Sequence, residues 1–368
     1  MRRRYHLHPP GLLYLLLVVV LGIAAANRPG NLLVWVFAAM LAGVLVSGIL
    51  SGPTLMWLDA SRLLPRTARA GEPLVVRYSV SQRSRIWPAF ALHVRERTAP
   101  PGSRAFVQHV GPGETVIAEA ILWPDRRGRL ALPSFRLETS FPFGLIRKSI
   151  RFDERDECLV LPRTVRLRPD VLPELAGAGR SGASSSLRVG PGTDFVGIRE
   201  YVPGDPMRHV AWRRSAALGT LAVTERTVDA PPRLHVVLDL RRPTDALRTD
   251  PAGRAPRDLE EDAIVLAASL LAEASRASME TRLSVLGIDA GVGGARGGVR
   301  HLNRQLAALA AIDLDAARRA DDRIPPVRDR AATVVVHVDR ADISLSPSAV
   351  HVGAAQLGVL SSTPGARA

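Results

Sequence analysis

The chain has 368 residues, 46% of them hydrophobic but only 5% aromatic, and a formal net charge of +14 at pH 7. That length accommodates a membrane segment plus two or more soluble units, and so few aromatics argue against a base-stacking surface for single-stranded nucleic acid. A single cysteine, Cys158, excludes an intrachain disulfide and a multi-cysteine metal site. The basic balance is not a nucleic-acid footprint. Lys148 is the only lysine among 49 basic residues, and the arginines are spread along the chain rather than gathered into one stripe. A nucleic-acid binder concentrates its charge, whereas dispersed arginine suits attraction to anionic membrane lipid.

In chain order, residues 1–58 read as a transmembrane helical hairpin with spans at about 10–27 and 32–51. No charged residue occurs from Pro9 to Asn27, nor from Pro29 to Leu58. Between the spans lie Asn27, Arg28, Pro29, Gly30 and Asn31, a turn rich in helix breakers. Arg2, Arg3 and Arg4 precede the first span and Arg62, Arg66 and Arg69 follow the second, against Arg28 alone in the turn. The positive-inside tendency then places both termini in the cytoplasm, with the hairpin in the inner or plasma membrane. The competing reading of the first run is a cleaved signal peptide ending near Ala24-Ala25-Ala26. A second span following at once argues against cleavage.

Residues 59–165 read as short strands. Leu74, Val76, Tyr78 and Val80 alternate with polar neighbours, as do Phe90, Leu92 and Val94, then Val116, Ala118, Ala120 and Leu122, then Leu130, Leu132, Phe135 and Leu137. Period-two alternation punctuated by Gly and Pro predicts an antiparallel β-sandwich or barrel. Residues 166–191 include the stretch AGAGRSGASSS and read as a linker or loop. Their glycines lack the GxxxxGK[ST] pattern of a phosphate-binding loop.

From residue 231 to 368 strands alternate with helices. Strands are predicted at Leu234 to Leu240, Arg282 to Ile288 and Thr333 to Val338, and helices at Asp258 to Met279, capped by Asp258, and at His301 to Ile312. Such alternation predicts a parallel sheet in an α/β domain. Ligands in such folds sit beyond the carboxyl ends of the strands, where Asp239 falls. The fold class is thus a membrane-anchored α+β multidomain protein.

The segment 192–230 carries the most distinctive pattern, GTDFVGIREYVPGDPMRHVAWRRSAALGTLAVTERT over residues 192–227. It closely resembles the signature of the bacterial family called Domain of Unknown Function 58. The matching positions are Gly192 and Asp194, then Arg199, Glu200, Tyr201, Gly204 and Asp205, then Arg208, Trp212, Ala216 and Glu225. The N-terminal hairpin, the β-rich segment, and Arg126 to Arg129 followed by Phe141 to Leu145 also look like that family's layout. The resemblance implies a C-terminal domain similar to von Willebrand factor type A domains and an association with MoxR-type AAA+ ATPases. It does not supply a biochemical activity.

Read physically, Pro203-Gly204-Asp205-Pro206 is turn chemistry with a helix expected from Met207 through Ala217. Asp205 would sit near that helix's N-terminus and Trp212 would be a packing anchor on it. Arg199 and Arg208 lie close enough to Asp194, Glu200 and Asp205 for local ion pairs, the alternative being a catalytic carboxylate pair. Cys158 reads as a structural cysteine in a strand, the nine histidines show no metal-ligand spacing, and there is no GxSxG. Type A domains usually hold Mg²⁺ through D-x-S-x-S at the end of the first strand. Here Arg241 and Pro243 replace the two hydroxyls after Asp239, which argues for a lost metal site and no cofactor, with Thr244 and Asp245 nearby as possible substitutes. The leading expectation is a non-enzymatic membrane-anchored adaptor for a cytoplasmic protein partner, with no nucleic acid. The alternative is a membrane-bound enzyme acting on envelope components through acids near Asp194 and Asp205.

Overall fold

The protein is described by a computed structural model at residues 2–7, 9–27, 30–98, 103–178, 195–203, 205, 207–226, 232–248, 253–290, 294–324, 331–340 and 342–362. The chain divides into two compact units, Met1–Pro162 and Arg163–Ala368. The expected boundary at residue 58 therefore falls inside the first unit.

That unit opens with strand β1 (Arg2–Leu7), followed by helices α1 (Pro9–Asn27) and α2 (Asn31–Met56). Both helices are apolar all round and almost wholly exposed, which separates them from the core helices of a soluble protein. At about 1.5 Å per residue they are roughly 28 and 39 Å long, against about 30 Å of hydrocarbon in a bilayer. The protein is membrane-associated. Small residues let the two helices approach. A Cβ on Gly22 would lie 2.9 Å from the Phe37 ring, and one on Gly43 would lie 3.0 Å from the Tyr14 hydroxyl.

The remaining strands of the unit are β2 (Leu58–Leu63), β3 (Thr67–Arg69), β4 (Leu74–Gln82), β5 (Ala89–Glu96) and β6 (Arg104–Val110), then β7 (Thr115–Leu122), β8 (Gly128–Leu132), β9 (Phe135–Thr139), β10 (Ile146–Phe152) and β11 (Asp156–Leu161). They form three sheets, ordered β1-β10-β9-β5-β6, β2-β4-β7 and β3-β11-β8. The run expected to be one strand from Leu130 to Leu137 is two strands in different sheets, because Pro133-Ser134 breaks the ladder between β8 and β9. Strand β1, which precedes both helices, pairs antiparallel with β10, from Arg2 opposite Arg151 to Leu7 opposite Ile146.

The three sheets share one core built on Tyr78, Leu92, Leu132, Phe135, Leu137 and Ile150. Cys158 is buried there and unpaired as a thiol. Within that core lies a charge. Arg62, on β2, has a fully buried side chain whose Nη1 donates to Glu96 Oε1 at 2.7 Å and whose Nε donates to Asp156 Oδ2 at 2.8 Å. Its Nη2 donates to the carbonyls of Leu132 and Glu154, each at 2.7 Å. The Tyr78 hydroxyl donates to Glu96 Oε1 at 2.7 Å, and burial, then the Glu96 charge, push that phenol far above its usual range. Arg62 and Tyr78 belong to one three-stranded sheet, Glu96 to the five-stranded sheet, and Leu132 and Asp156 to the other three-stranded sheet. One guanidinium thus ties all three sheets together.

The second unit contains α3 (Val171–Ala178), β12 (Phe195–Glu200), α4 (Trp212–Leu218), β13 (Ala222–Arg226), β14 (Arg233–Asp239), α5 (Pro256–Arg276), β15 (Glu280–Leu286), α6 (Val299–Ala311), β16 (Ala332–His337) and β17 (Val350–Gly353). Helix α3 lies in the stretch expected to be a linker. Strands β15-β14-β16-β17 form a parallel sheet, with β14 near its centre. Its residues Leu234 to Leu238 are all buried, as a strand covered on both faces requires. Helix α5 buries Leu259, Ala263, Leu266 and Leu270 and packs against β14, β15, β16 and α6. Asp258 does not cap it: Ala255 holds the N-cap position, and Asp258 lies in the first turn.

Breaking the Arg62 junction leaves the buried Glu96 without its cation and deprives the partly exposed Asp156 of the same partner. Arg62→Ala is expected to cost about 3–5 kcal/mol, the range for removing one partner of a buried ion pair. Denaturant unfolding of the detergent-solubilised protein checks this; a loss below about 1 kcal/mol would contradict it.

Candidate functional site

Two clusters in the second unit hold the residues singled out in the sequence. The first is the signature segment. Strands β12 and β13 form their own antiparallel pair, with Arg199 opposite Val223 and Glu200 opposite Ala222. The helix expected from Met207 to Ala217 is divided: a 3₁₀ turn covers Met207–His209, Val210 bridges to Val223, and α4 begins at Trp212. Ala211 N donates to Ala222 O at 2.8 Å, which fixes the break. Ser215 holds α4 against β13, since Ala222 N donates to Ser215 Oγ at 2.9 Å while that hydroxyl donates to Ala211 O at 3.1 Å. Gly219 ends the helix in the left-handed conformation at φ 69°.

Asp205 is locked into this framework. Arg199 donates to both of its oxygens at 2.7 Å, and Val202 N donates to Oδ2 at 3.0 Å. The Arg199 bonds first, then the Val202 bond, lower its pKa to about 2. The carboxylate therefore braces the turn between Val202 and Asp205 rather than facing a helix N-terminus. Arg199 also donates to the carbonyl of Glu200, and Tyr201 N donates to Leu221 O at 2.8 Å. Gly192, Asp194 and Gly204 lie outside the described residues, as do the side chains of Arg208 and Glu225.

Trp212 corrects the expectation of a packing anchor. It is 60% exposed, and Val202, Met207, Leu218 and Leu221 of the same segment are exposed with it. Helix α4 buries only Ser215, so its indole has no core to enter.

The second cluster lies at the carboxyl end of β14, where Asp239 stands opposite Leu286 of β15 and His337 of β16. Arg241 N and Nε donate to Asp239 Oδ1 at 3.2 and 2.9 Å, and Nη2 donates to Oδ2 at 3.2 Å. The same Nη2 donates to Asp342 Oδ2 at 2.8 Å. His337 Nδ1 lies 3.2 Å from Asp239 Oδ2, His337 Nε2 lies 2.8 Å from His351 Nδ1, and His351 Nε2 lies 3.0 Å from Ser346 O. Burial raises the Asp239 carboxyl, but hydrogen bonds from His337 and Arg241, with the guanidinium charge, outweigh it and hold the group far below the usual range. The Asp239 carboxylate in turn raises Arg241. Thr244, the hydroxyl nearest in sequence, donates to Glu260 Oε2 at 2.8 Å, and Glu260 is paired with Arg318 at 2.8 Å.

This donor set does not suit a divalent cation. Both Asp239 oxygens are taken up by N–H groups, and a guanidinium stands between Asp239 and Asp342. Among the described residues no group of three or more His, Cys, Asp or Glu side chains is arranged to hold a metal ion. Sequence reading reached Asp239 and Arg241 because they are two residues apart. It missed His337 and His351, which the parallel register of the sheet lines up beside Asp239, and Asp342, which the loop after β16 brings to Arg241.

No family model matches the chain. It is 24% identical over 320 residues to the uncharacterized protein YeaD of Bacillus subtilis (strain 168), which covers 83% of this chain and 75% of that protein.

Three outcomes are expected from these geometries. Trp212→Ala should change stability by no more than about 0.5 kcal/mol, as a surface substitution does, and thermal melting reads it. Carboxyl NMR of Asp205 should give a midpoint near 2, moving up toward about 3.9 in Arg199→Ala. Because the folded value is depressed, the pairing stabilises the segment above about pH 4 and is lost as the pH falls toward 2. Calorimetric titration with Mg²⁺ should show no saturable site at about 10⁻³ M, and one abolished by Asp239→Ala would overturn the assignment of Arg241.

Proposed function

We propose that the protein is a membrane-anchored, non-enzymatic adaptor of the Domain of Unknown Function 58 type. In this reading the α/β unit is similar to a von Willebrand factor type A domain and presents the signature segment to a MoxR-type AAA+ ATPase or its client. The observation that carries it is the division of labour within that segment. Its ionic residues Arg199 and Asp205 are spent on each other, while its large apolar side chains, Trp212 foremost, face outward. A hydrolytic site needs the reverse: a carboxylate free to take or give a proton, in a cleft. Exposed tryptophan beside arginine, here Arg213 and Arg214, is the composition of protein-interface hot spots.

The two apolar helices serve as a hairpin in the inner or plasma membrane with both termini in the cytoplasm. Charge asymmetry across the hairpin supports that orientation, and the β1–β10 pairing argues against removal of the first helix as a signal peptide, because cleavage would take β1 with it. A C-terminal reporter active only outside the cytoplasm should stay silent. Crosslinking capture from membranes, with the full chain as bait, should recover the MoxR-type ATPase. Trp212→Ala should lose that capture with an unchanged melting temperature. Capture that survives Trp212→Ala, but fails in a folded Asp205→Asn protein, would shift the role to the carboxylate.

A further inference from the structure

We propose that the rim of the β-rich unit next to the helices is a lipid-contacting surface, in which Ile86, Trp87 and Phe143 enter the bilayer interface and Arg83 and Arg85 hold anionic headgroups. The inference rests on the reading that α1 and α2 cross a bilayer.

The strand registers put several loops at one end of this unit. Leu7, the last residue of β1, is opposite Ile146, the first of β10, so the segment 140–145 lies where α1 begins. Leu58, the first residue of β2, is opposite Gln82, the last of β4, so the segment 83–88 lies where α2 ends. The contacts are direct. A Cβ on Gly11 would lie 2.0 Å from the Leu145 carbonyl oxygen, so only glycine lets the first turn of α1 rest on the Phe141–Leu145 loop. Arg83 N donates to Trp57 O at 2.9 Å, immediately after α2. Lys148 Nζ reaches Gly48 O, inside the last third of α2, at 3.4 Å.

These loops are held firmly while their apolar side chains point away from the core. Ser84 Oγ accepts from Ile86 N at 3.2 Å and Trp87 N at 2.9 Å, and Gly113 N is shared between the carbonyls of Gln82 and Ser84. Yet Ile86 is 77% exposed, and Trp87, Trp57 and Met56 are exposed beside it. In the other loop Phe141 stacks on Phe90 and Gly144 N donates to Ser140 O at 2.7 Å, while Phe143 is left 58% exposed. A rigid loop that presents isoleucine, tryptophan and phenylalanine beside a spanning helix has the makeup of an interfacial anchor.

The charges fit the same partner. Arg83 pairs with Asp59 and is exposed, and Arg85 is exposed with no ion pair among the described residues. The nearby Glu114 carboxylate is occupied by Gly111 N at 2.6 Å. Basic side chains at this depth favour anionic lipid.

Nitroxide labels at Ile86→Cys and Phe143→Cys, with Cys158→Ala as the background, test this in full-length protein in lipid nanodiscs. Label collisions with oxygen report lipid, and collisions with a water-soluble nickel reagent report solvent. Labels at 86 and 143 should be rich in oxygen collisions and shielded from nickel, and the label at Trp123→Cys, at the opposite end of the sheet, should be the reverse. A label at Leu17→Cys separates the two readings. Aqueous exposure there sinks the spanning reading itself, whereas a deep label at 17 with aqueous labels at 86 and 143 sinks only this proposal. Dipolar broadening between labels at 86, without lipid depth, would assign the rim to a second copy of the chain and overturn it. Adding phosphatidylglycerol to phosphatidylcholine should deepen the label at 86, and Arg83→Gln with Arg85→Gln should abolish that shift. Equal depth in both lipids overturns the headgroup role of the arginines.

Discussion

A strand that comes before the two apolar helices completes a sheet made from strands that come after them, and the rest of the first unit depends on that pairing. Strand β1 adds to β10 at the edge of the five-stranded sheet. The chain must therefore leave the β-rich body, run out along α1, turn, and return along α2 to the same body. Both ends of the hairpin are fixed at the same place, so the helices cannot lie on opposite sides of anything they cross. The extra length of α2, roughly 9 Å beyond a bilayer core at 1.5 Å per residue, carries the chain back into β2 without a linker. The same closure explains why glycine is needed at Gly11, where the helix meets the Leu145 carbonyl.

Arg62 sits at the other structural limit of this unit, four residues into the returning chain. Burying a guanidinium is costly unless its hydrogen-bonding capacity is filled. Here two carboxylates and two carbonyls fill it, and the charge also lies over the Phe135 ring, 5.6 Å from its centroid. Glu96 stands in the five-stranded sheet, Leu132 and Asp156 in the sheet of β3, β11 and β8, and Arg62 itself in the third. Hydrophobic burial holds the sheets together without choosing among similar packings. The directional bonds of one guanidinium admit far fewer arrangements.

How much of this was legible depended on whether the signal was local. The strands at Leu74–Gln82 and Thr115–Leu122 were visible because one face of each is buried and the other is not, giving clean alternation. The parallel α/β sheet was visible for the opposite reason, a strand apolar throughout. Strand β1 was not, since its sequence RRRYHL reads as the basic flank of a membrane span, and its partner β10 lies well over a hundred residues away. Helix α3 was hidden in a stretch dominated by small residues. Trp212 was misjudged because residue type alone suggested burial, while the short α4 offers only its Ser215 face to β13. Local ion pairing among Arg199, Arg208 and the acids Asp194, Glu200 and Asp205 was readable from their closeness in sequence, but the choice of Asp205 as the partner of Arg199 was not.

The cluster at Asp239 shows why local sequence underdetermines a site. An aspartate ending a central parallel strand is where such folds bring ligands, and the residue two positions on converts it into something else. Arg241 is a cation attached by covalent bonds, so Asp239 and Asp342 have a counter-charge at every moment the protein is folded. A dissociable metal ion would have to displace it against both geometry and charge. The histidines extend the cluster across the sheet toward its edge strand β17. Asp239 and the Ser346 carbonyl are acceptors at opposite ends of a line of three contacts through His337 and His351. The end of β14 is therefore organised around charges and polar groups that pair with one another. Arg241 thus occupies, from within the chain, the position at which such folds receive a ligand.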